Sequence, residues 1–579
     1  MFFPVDGIFS YLREITQFLP LRRGHKKMRD MKFIPSLVAI AAFTVTLSGC
    51  SNGGSGGGNV SSITIKTTSA NFAVVGNPYA STLVATGGTP PFTWAVVSGL
   101  PPWVLLNTVT GVLTGTPTTT DVGNFNPTFR VTDTAGATGV QTVLLAVHNR
   151  TDILSVDDGT PPVPGNGASS RPAISSDGRF VAFASSASNL IPGVSGSQIY
   201  LHDRQTNQTT LVSRDSSAAI NPGNAASSVP SINSDGRFVA FVSSATNLVT
   251  GVTGQQVYLR DTQTGVTSLV SKDNFANPAN GLTTTSPSID GIGRFVAYVS
   301  NATNLVTGVT GQQVYLSDTQ TTKAFPNGQT TLVSKDNSPA PLPGNGASSA
   351  PSISRDGCFV AFASLSTNFG VLGGNQQIYL RGPLPGPGTC GLSEQTSLIS
   401  QDNSTPPSPG NAFSSNPSID PGGRVVAFVS VSTNLTGATG QQIYVHDRSK
   451  GPNGTTSLVS KNNAGTPVQG DGNSSAPSVS NDGCFVAFAS LSTNLISPPP
   501  GNQQIYLRGP LPGPGICPAG TEQTSLVSKD NSAVPVVGNG LSDNPSTNAN
   551  GGFVAFSSLS TNLVSPPPGN QQIYVRAMP

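Results

Sequence analysis

Five cysteines and four histidines are the residues of this chain best suited to covalent, metal or proton chemistry. The cysteines are Cys50, Cys358, Cys390, Cys484 and Cys517. A thiol can close a disulfide, ligate zinc or carry an acyl group, and spacing separates these uses. No Cys-x-x-Cys occurs, so the close pairs that zinc sites draw on are missing. His25 lies in a basic leader and His148 near a junction between two composition zones. His202 and His446 stand at equivalent places of a repeat where other copies carry Arg or Ser, which predicts a surface position for both. No His-x-His, His-Glu-x-x-His or phosphate-cradling Gly-Lys-Ser is present. Gly53–Gly57 matches Gly-x-Ser-x-Gly, but no strand precedes it and no helix follows, so it does not read as a nucleophile elbow. These residues assemble into no catalytic set, no cofactor site and no assigned metal site.

A repeat positions four of the cysteines. The block Ser-Asp-Gly-Arg-Phe-Val-Ala-Phe at Ser176–Phe183 has seven versions, near Arg179, Arg237, Arg294, Cys358, Arg424, Cys484 and Gly552, at a period of roughly 57 to 68 residues. Asp177-Gly178 between apolar runs reads as a hairpin turn. Phe180–Phe183 reads as the second strand of a unit, Gln198–Leu201 as the third and Thr210–Ser213 as the fourth. The second strand is apolar on both faces, as a sheet sandwiched between two neighbours requires. Tyr200, Tyr258, Tyr315, Tyr379, Tyr444, Tyr506 and Tyr574 recur at one position of the third strand. They are expected to pack between sheets; a ligand-stacking ring is the other reading. Short strands at this period predict a radial array of sheets, a propeller.

In an up-and-down four-stranded sheet the first and third turns share an end. Cys358 and Cys484 follow the first turn of units four and six, and Cys390 and Cys517 lie in the third-to-fourth-strand loops of those units. The expected bonds are therefore Cys358–Cys390 and Cys484–Cys517, in an oxidising compartment. The last unit has only three strands before the chain stops, while Asp152–Val156 resembles a fourth strand placed upstream of the first unit. That count predicts a ring of seven sheets closed by pairing Asp152–Val156 with Gln572–Val575. The residues resemble the WD40-like repeats of the TolB-type β-propeller family across Asp152–Pro579. The resemblance implies fold and says little of activity.

Met31-Lys32 opens a segment that is apolar from Phe33 to Leu47 and ends in Leu47-Ser48-Gly49-Cys50. A basic start, a short apolar core and small residues before a Cys predict a secretory signal. The tetrapeptide resembles a bacterial lipobox, which implies that Cys50 is the lipidated first residue of the mature protein; a buried or disulfide-bonded Cys50 is the alternative. Ser51 after the Cys implies, by the same resemblance, the outer membrane. Met1–Asp30 reads as an extension upstream of the signal, so residues 1–50 are extension and signal. The run Ser51–Asn59 is a flexible Gly/Ser tether. Seven of the 29 Lys and Arg and three of the 27 Asp and Glu precede Cys50, so removing that segment turns a net charge of +2 into −2. The basic excess belongs to the leader, and no nucleic-acid footprint is expected.

Residues 60–149 read as a separate sandwich, with alternating strands such as Phe129-Arg-Val-Thr. Ala85–Trp94, Gly99-Leu-Pro, Thr110–Pro117 and Val131-Thr-Asp133 resemble the putative-Ig, cadherin-like domains of bacterial surface proteins. Trp94 and Trp103 are expected in the core, with a carbohydrate platform as the other reading. Cadherin-like relatives imply calcium, but Asp121 and Asp133 are isolated, so calcium stays possible and unassigned. The fourth strands exit through pairs such as Asp273-Asn274, Asp402-Asn403 and Asp530-Asn531, read as turn chemistry.

The chain is therefore expected to be all-β: an Ig-like β-sandwich, then a seven-bladed propeller over 150–579. It is expected to act in the bacterial cell envelope as an outer membrane lipoprotein facing the periplasm or the cell surface. Its propeller would bind an envelope protein or glycan, without enzymatic activity, through the face that carries the second-to-third-strand loops. The rivals are a propeller-based lyase or hydrolase, and a structural envelope protein without a specific ligand.

Overall fold

The computed structural model describes residues 62–282, 285–320, 329–371, 374–384, 390, 393–511, 517 and 520–578. The signal segment, Cys50 and the tether lie outside the described residues. Among those described, every regular element is a strand except one 3-10 turn at Thr119–Asp121.

Thr64 to His148 form four small sheets. Thr128–Thr132 pairs with Thr93–Ser98 and Thr138–Thr142, and Leu145–His148 runs between Ala73–Val74 and Gly123–Phe125. Alternation sends Phe129 and Val131 into the core and Arg130 outward. Trp94 is buried at the centre of that core, and Gly111, at φ +71°, lets the chain cross it: a Cβ there would sit 2.8 Å from the indole. Trp103 packs edge-on against Tyr79, at 5.5 Å between ring centroids. Both tryptophans thus serve the core. The two isolated acids hold turns: Asp121 accepts from Thr118, and Asp133 from Thr89 and Ala137.

Beyond residue 150 the described strands form seven four-stranded sheets. In the first, Ser169–Ile174, Phe180–Ser185, Gln198–Asp203 and Gln208–Leu211 follow one another antiparallel. The first strand of each sheet packs against the first strand of the next, and Ser542–Thr547 packs against Ser169–Ile174, which closes the ring. The last sheet takes its fourth strand from upstream: Thr151–Ile153 pairs with Gln572–Ala577, with Asp152 opposite Val575. Second strands are buried on both faces, as Val181 to Ser185 show. Each recurring tyrosine is nearly fully buried, and Tyr200 stacks on Phe183 with ring centroids 5.8 Å apart. The ring of tyrosines is packing between sheets.

The acidic and amide pairs at the fourth-strand exits do two jobs. The first residue closes its own turn: Asp402 Oδ1 accepts from the Ser404 and Ser408 amides. The second reaches the next sheet. Asn403 Oδ1 accepts from Thr456 N at 2.7 Å and its Nδ2 donates to Thr456 O at 2.9 Å. Asn463 holds Thr524 in the same way, and Asn531 holds Thr151 of the upstream strand. A side-chain amide thus imitates a strand partner between sheets that share no ladder.

His202 and His446 are not on the surface: they are 0% and 2% exposed. Their third-strand position faces the previous sheet's exit. Arg381, Arg508 and Arg576 there donate Nη1 to the carbonyls of Lys335, Lys461 and Lys529. The histidines instead bond Thr209 and Thr456 Oγ1 through Nδ1, each at 3.0 Å. Burial pushes the His202 pKa down to about 3 and that of His446 to about 4. Below pH ~6.5 the unfolded chain takes up protons that these buried rings refuse, so stability falls as pH drops from ~6.5 towards 4. Asp290, whose pKa burial raises to about 6, pulls the opposite way, so the test is a difference. Wild type should lose on the order of a few kcal/mol more than the His202→Ser/His446→Ser variant between pH 7 and 4.5. Urea unfolding at both pH values measures this, and parallel losses would contradict the assignment.

Candidate functional site

The cysteines meet as the turn geometry requires. Cys358–Cys390 and Cys484–Cys517 have Cα–Cα distances of 5.5 and 5.4 Å. In the first three sheets the same two turns are tied by Arg179–Asp203, Arg237–Asp261 and Arg294–Asp318, each through both carboxylate oxygens. Where Cys358 and Cys484 replace the arginine, Gly382 and Gly509 end the third strand in place of the aspartate. A covalent tie replaces an ion pair, which persists only where conditions are oxidising. The last sheet has neither. Its Phe553 packs on Phe72 of the sandwich, and the buried Arg204 guanidinium lies 4.7 Å from the Phe553 centroid and 4.3 Å from that of Phe72. His148 Nε2 meets Arg204 O at 2.6 Å, and its Nδ1 meets Asp152 at 3.1 Å. These are structural duties.

The arrangement with unspent binding capacity is the channel that the seven first strands surround. Each of these strands carries a bulge before its proline; Ser170 pairs Ala184, but the next pair is Ala173–Ala182. The pre-proline residue takes a left-handed conformation, as at Arg171, Val229, Ala350, Asn416, Ala476 and Asn544, with φ between 49° and 54°. Such strain in non-glycine residues gathers where a wall must be re-aimed. Hydroxyls form much of the wall. Ser231, Ser288, Ser352, Ser418, Ser478 and Ser546 each accept from a backbone amide of the adjacent sheet, as Ser231 Oγ does from Ile289 N, and all stay half-buried.

At the first-turn end the channel narrows to a belt of backbone bonds between sheets. Ser176 N donates to Ser234 O, Ser234 N to Gly291 O, Gly291 N to Arg355 O and Ala549 N to Ser176 O, at 2.8–3.1 Å. The belt position is Ser176, Ser234, Gly291, Arg355, Pro421, Asn481 and Ala549: one long side chain among six short ones. Arg355 reaches across to three other sheets. Its Nη1 donates to Ser176 and Ser234 Oγ, at 2.5 and 2.7 Å, and its Nε to Asn481 Oδ1 at 2.5 Å. Gly291 leaves room, since a Cβ there would lie 2.8 Å from Ser234 Oγ and 3.3 Å from Arg355 Cβ. Burial pushes the guanidinium pKa down to about 10, opposed by Asp177. The described hydrogen-bond partners of this cation are all neutral.

The opposite mouth is built by the second-to-third-strand loops 186–197, 244–255, 301–312, 365–376, 431–441, 491–503 and 559–571. None contains Asp, Glu, Lys or Arg. Around this mouth, each loop's first residue bonds the residue that precedes the inner strand. The pairs begin polar or small, Ser186 with Ala168 and Ser244 with Ala226, and become apolar: Val431 with Phe413 and Leu559 with Leu541. Leu282, Leu365, Phe413, Val431, Leu491, Leu541 and Leu559 are 37–53% exposed. They trace an apolar arc over five consecutive sheets and leave the first two without one. Sequence reasoning picked this face for its loops but missed the arc, the absence of charge in the second-to-third-strand loops and Arg355. Aligning the seven copies column by column carries all three signals.

Residues 57–148 match the Putative Ig domain family. No curated protein matches the chain. Among solved structures, the chain is similar to an oligogalacturonate lyase in complex with manganese: 12% identity, TM-score 0.42, covering 85% of this chain and 98% of that one. It is similar to the oligogalacturonate lyase of Vibrio parahaemolyticus, at 12% identity and TM-score 0.42, over 74% of this chain and 97% of that one. It is also similar to the β-propeller domain of the Trilobed protease from Pyrococcus furiosus, at 11% identity and TM-score 0.41, over 72% of this chain and 94% of that one. Residues 57–148 thus match a Putative Ig domain, and the seven four-stranded sheets that follow form a β-propeller by their own topology.

Proposed function

We propose that this protein is an exported lipoprotein, anchored to the bacterial outer membrane through Cys50, whose propeller binds an envelope protein or glycan at the face built by its second-to-third-strand loops. The apolar arc carries the binding half of this reading. The first two sheets fill the same places with Ala and Ser, so the fold does not need large apolar residues there. Seven exposed large apolar residues around one mouth, one or two on each of five consecutive sheets, mark a contact surface. The two disulfides and the Leu-Ser-Gly-Cys signal support export.

The test is capture from envelope extracts by wild type and by Leu491→Asp/Leu559→Asp. Each buried leucine is worth ~1.5–3 kcal/mol, so the double variant should bind at least about 100-fold more weakly. Unchanged capture would sink the reading. Pretreating extracts with protease or with glycosidases separates a protein partner from a glycan. Cys50→Ala should release the protein from the membrane fraction, and continued retention would contradict the anchor.

A further inference from the structure

We propose that the floor of the channel is an oxyanion site, in which Arg355, Ser176, Ser234 and Asn481 receive a carboxylate or phosphate group of a ligand entering through the loop-face mouth. This rests on the reading of that face as the binding face. The cluster leaves hydrogen-bond donors unused. Arg355 spends Nε and Nη1 on Asn481, Ser176 and Ser234, while Nη2 makes no hydrogen bond to the described residues. Ser176 Oγ accepts from both Arg355 and Asn481 Nδ2, so its own hydrogen is free to donate. Ser234 Oγ accepts from Arg355 and keeps its hydrogen too. The remaining capacity is therefore mostly donors: the N–H pair of Nη2, two hydroxyl hydrogens and one amide N–H. Donors converging around a cation match an oxyanion.

Two further observations point the same way. A largely buried cation whose hydrogen-bond partners are all neutral, with Asp177 acting on it only from a distance, is costly to a fold, and replacing such a group with an apolar side chain is commonly neutral or stabilising. Its presence at one belt position of seven is therefore not explained by packing. Three carboxylates nearby, Asp177, Asp235 and Asp356, are exposed on the turns just outside the belt, while Asp290 and Asp420, which precede Gly291 and Pro421, are buried and spend oxygens on the Phe295 and Val425 amides of their own turns. The exposed three repel an anion at that end and leave the hydroxyl-walled channel as its route. The floor residues all keep partial exposure, so the site is within reach of solvent.

The experiment titrates the full-length protein with sodium glucuronate, inorganic phosphate and glucose, read by calorimetry and by thermal melting. Wild type should bind at least one of the two anions saturably and gain melting temperature, with no response to glucose. Binding of glucuronate alone identifies a carboxylate, of phosphate alone a phosphate group, and of both the shared oxyanion chemistry. Arg355→Met should abolish the response while melting no lower than wild type without anion. If Arg355→Met does not fold, Arg355→Lys, which keeps the charge but lacks the Nη2 pair, must bind at least about tenfold more weakly. No saturable anion binding by wild type, or equal binding by the Arg355 variants, overturns the proposal. Leu491→Asp/Leu559→Asp should leave anion binding intact. Loss of the envelope partner in that variant, alongside an inert floor, would keep the loop-face reading and reject only this site.

Discussion

Deleting Thr151–Val156 is expected to unfold the propeller. The segment supplies the fourth strand of the last sheet across more than four hundred residues of sequence. Leu154 and Val156 are 2% and 3% exposed, and burying such side chains contributes ~1.5–3 kcal/mol each. Thr151 gives its amide and carbonyl to Asn531, its Oγ1 donates to Lys529 O, and Arg576 Nη1 donates to it in turn. Ser155 bonds the Gln572 side chain and the Ile573 amide. Removing these leaves an open strand edge and a buried Arg576 short of an acceptor, each costing more than the lost bond alone. The total should exceed about 5 kcal/mol, the lower end of what whole domains possess. A chain starting at Arg150 should unfold cooperatively in urea, and one starting at Pro161 should lose at least that amount or fail to fold. Equal midpoints for the two would show that the ring does not depend on this strand.

The disulfides should have the next largest effect. The bonds span 32 and 33 residues of sequence, and loops of that length are worth about 3–4 kcal/mol each in the chain-entropy model, with measured values often lower. Cys358→Ser/Cys390→Ser should therefore lower stability by about 3 kcal/mol. The equivalent pair in the sixth sheet should add nearly the same, since the fifth sheet lies between them. Reductant should reproduce the combined loss in wild type and do nothing to the fourfold variant. Peptide mapping without reductant should return Cys358–Cys390 and Cys484–Cys517. A Cys358–Cys484 link would contradict both the pairing and the sheet order.

What could be read before folding divides along physical lines. Strand order, ring closure and cysteine pairing were legible because each follows from counting strands and from which turns share an end. The tyrosines were legible because an invariant large apolar body beside a doubly apolar strand has one place to go. His202 and His446 were misread because Arg at the same position suggests a solvated charge. The third strand instead points that side chain at the carbonyls leaving the previous sheet, where Arg260, Arg381 and His202 alike are buried. The amide clasp of Asn403 was hidden for a related reason: an Asx turn accounts for one residue of the pair, and the second acts on a neighbour some fifty residues on. Arg355 carried no local motif. Its meaning appears only when seven belt positions are brought around one axis and six of them prove short. Cys50 rests on its sequence context alone.

The central proposal is that the face of the second-to-third-strand loops, and not the rest of the propeller surface, meets a partner in the envelope. Its most direct test is photo-crosslinking in intact cells with a photoreactive amino acid at Leu491 or at Phe413, 52% and 49% exposed on that face. Val266, 49% exposed on an outer strand of the second sheet, is the control. The account predicts one discrete crosslinked species shared by Leu491 and Phe413 and missing from Val266. Crosslinks of equal yield from Val266, or none from the two face positions, would contradict it.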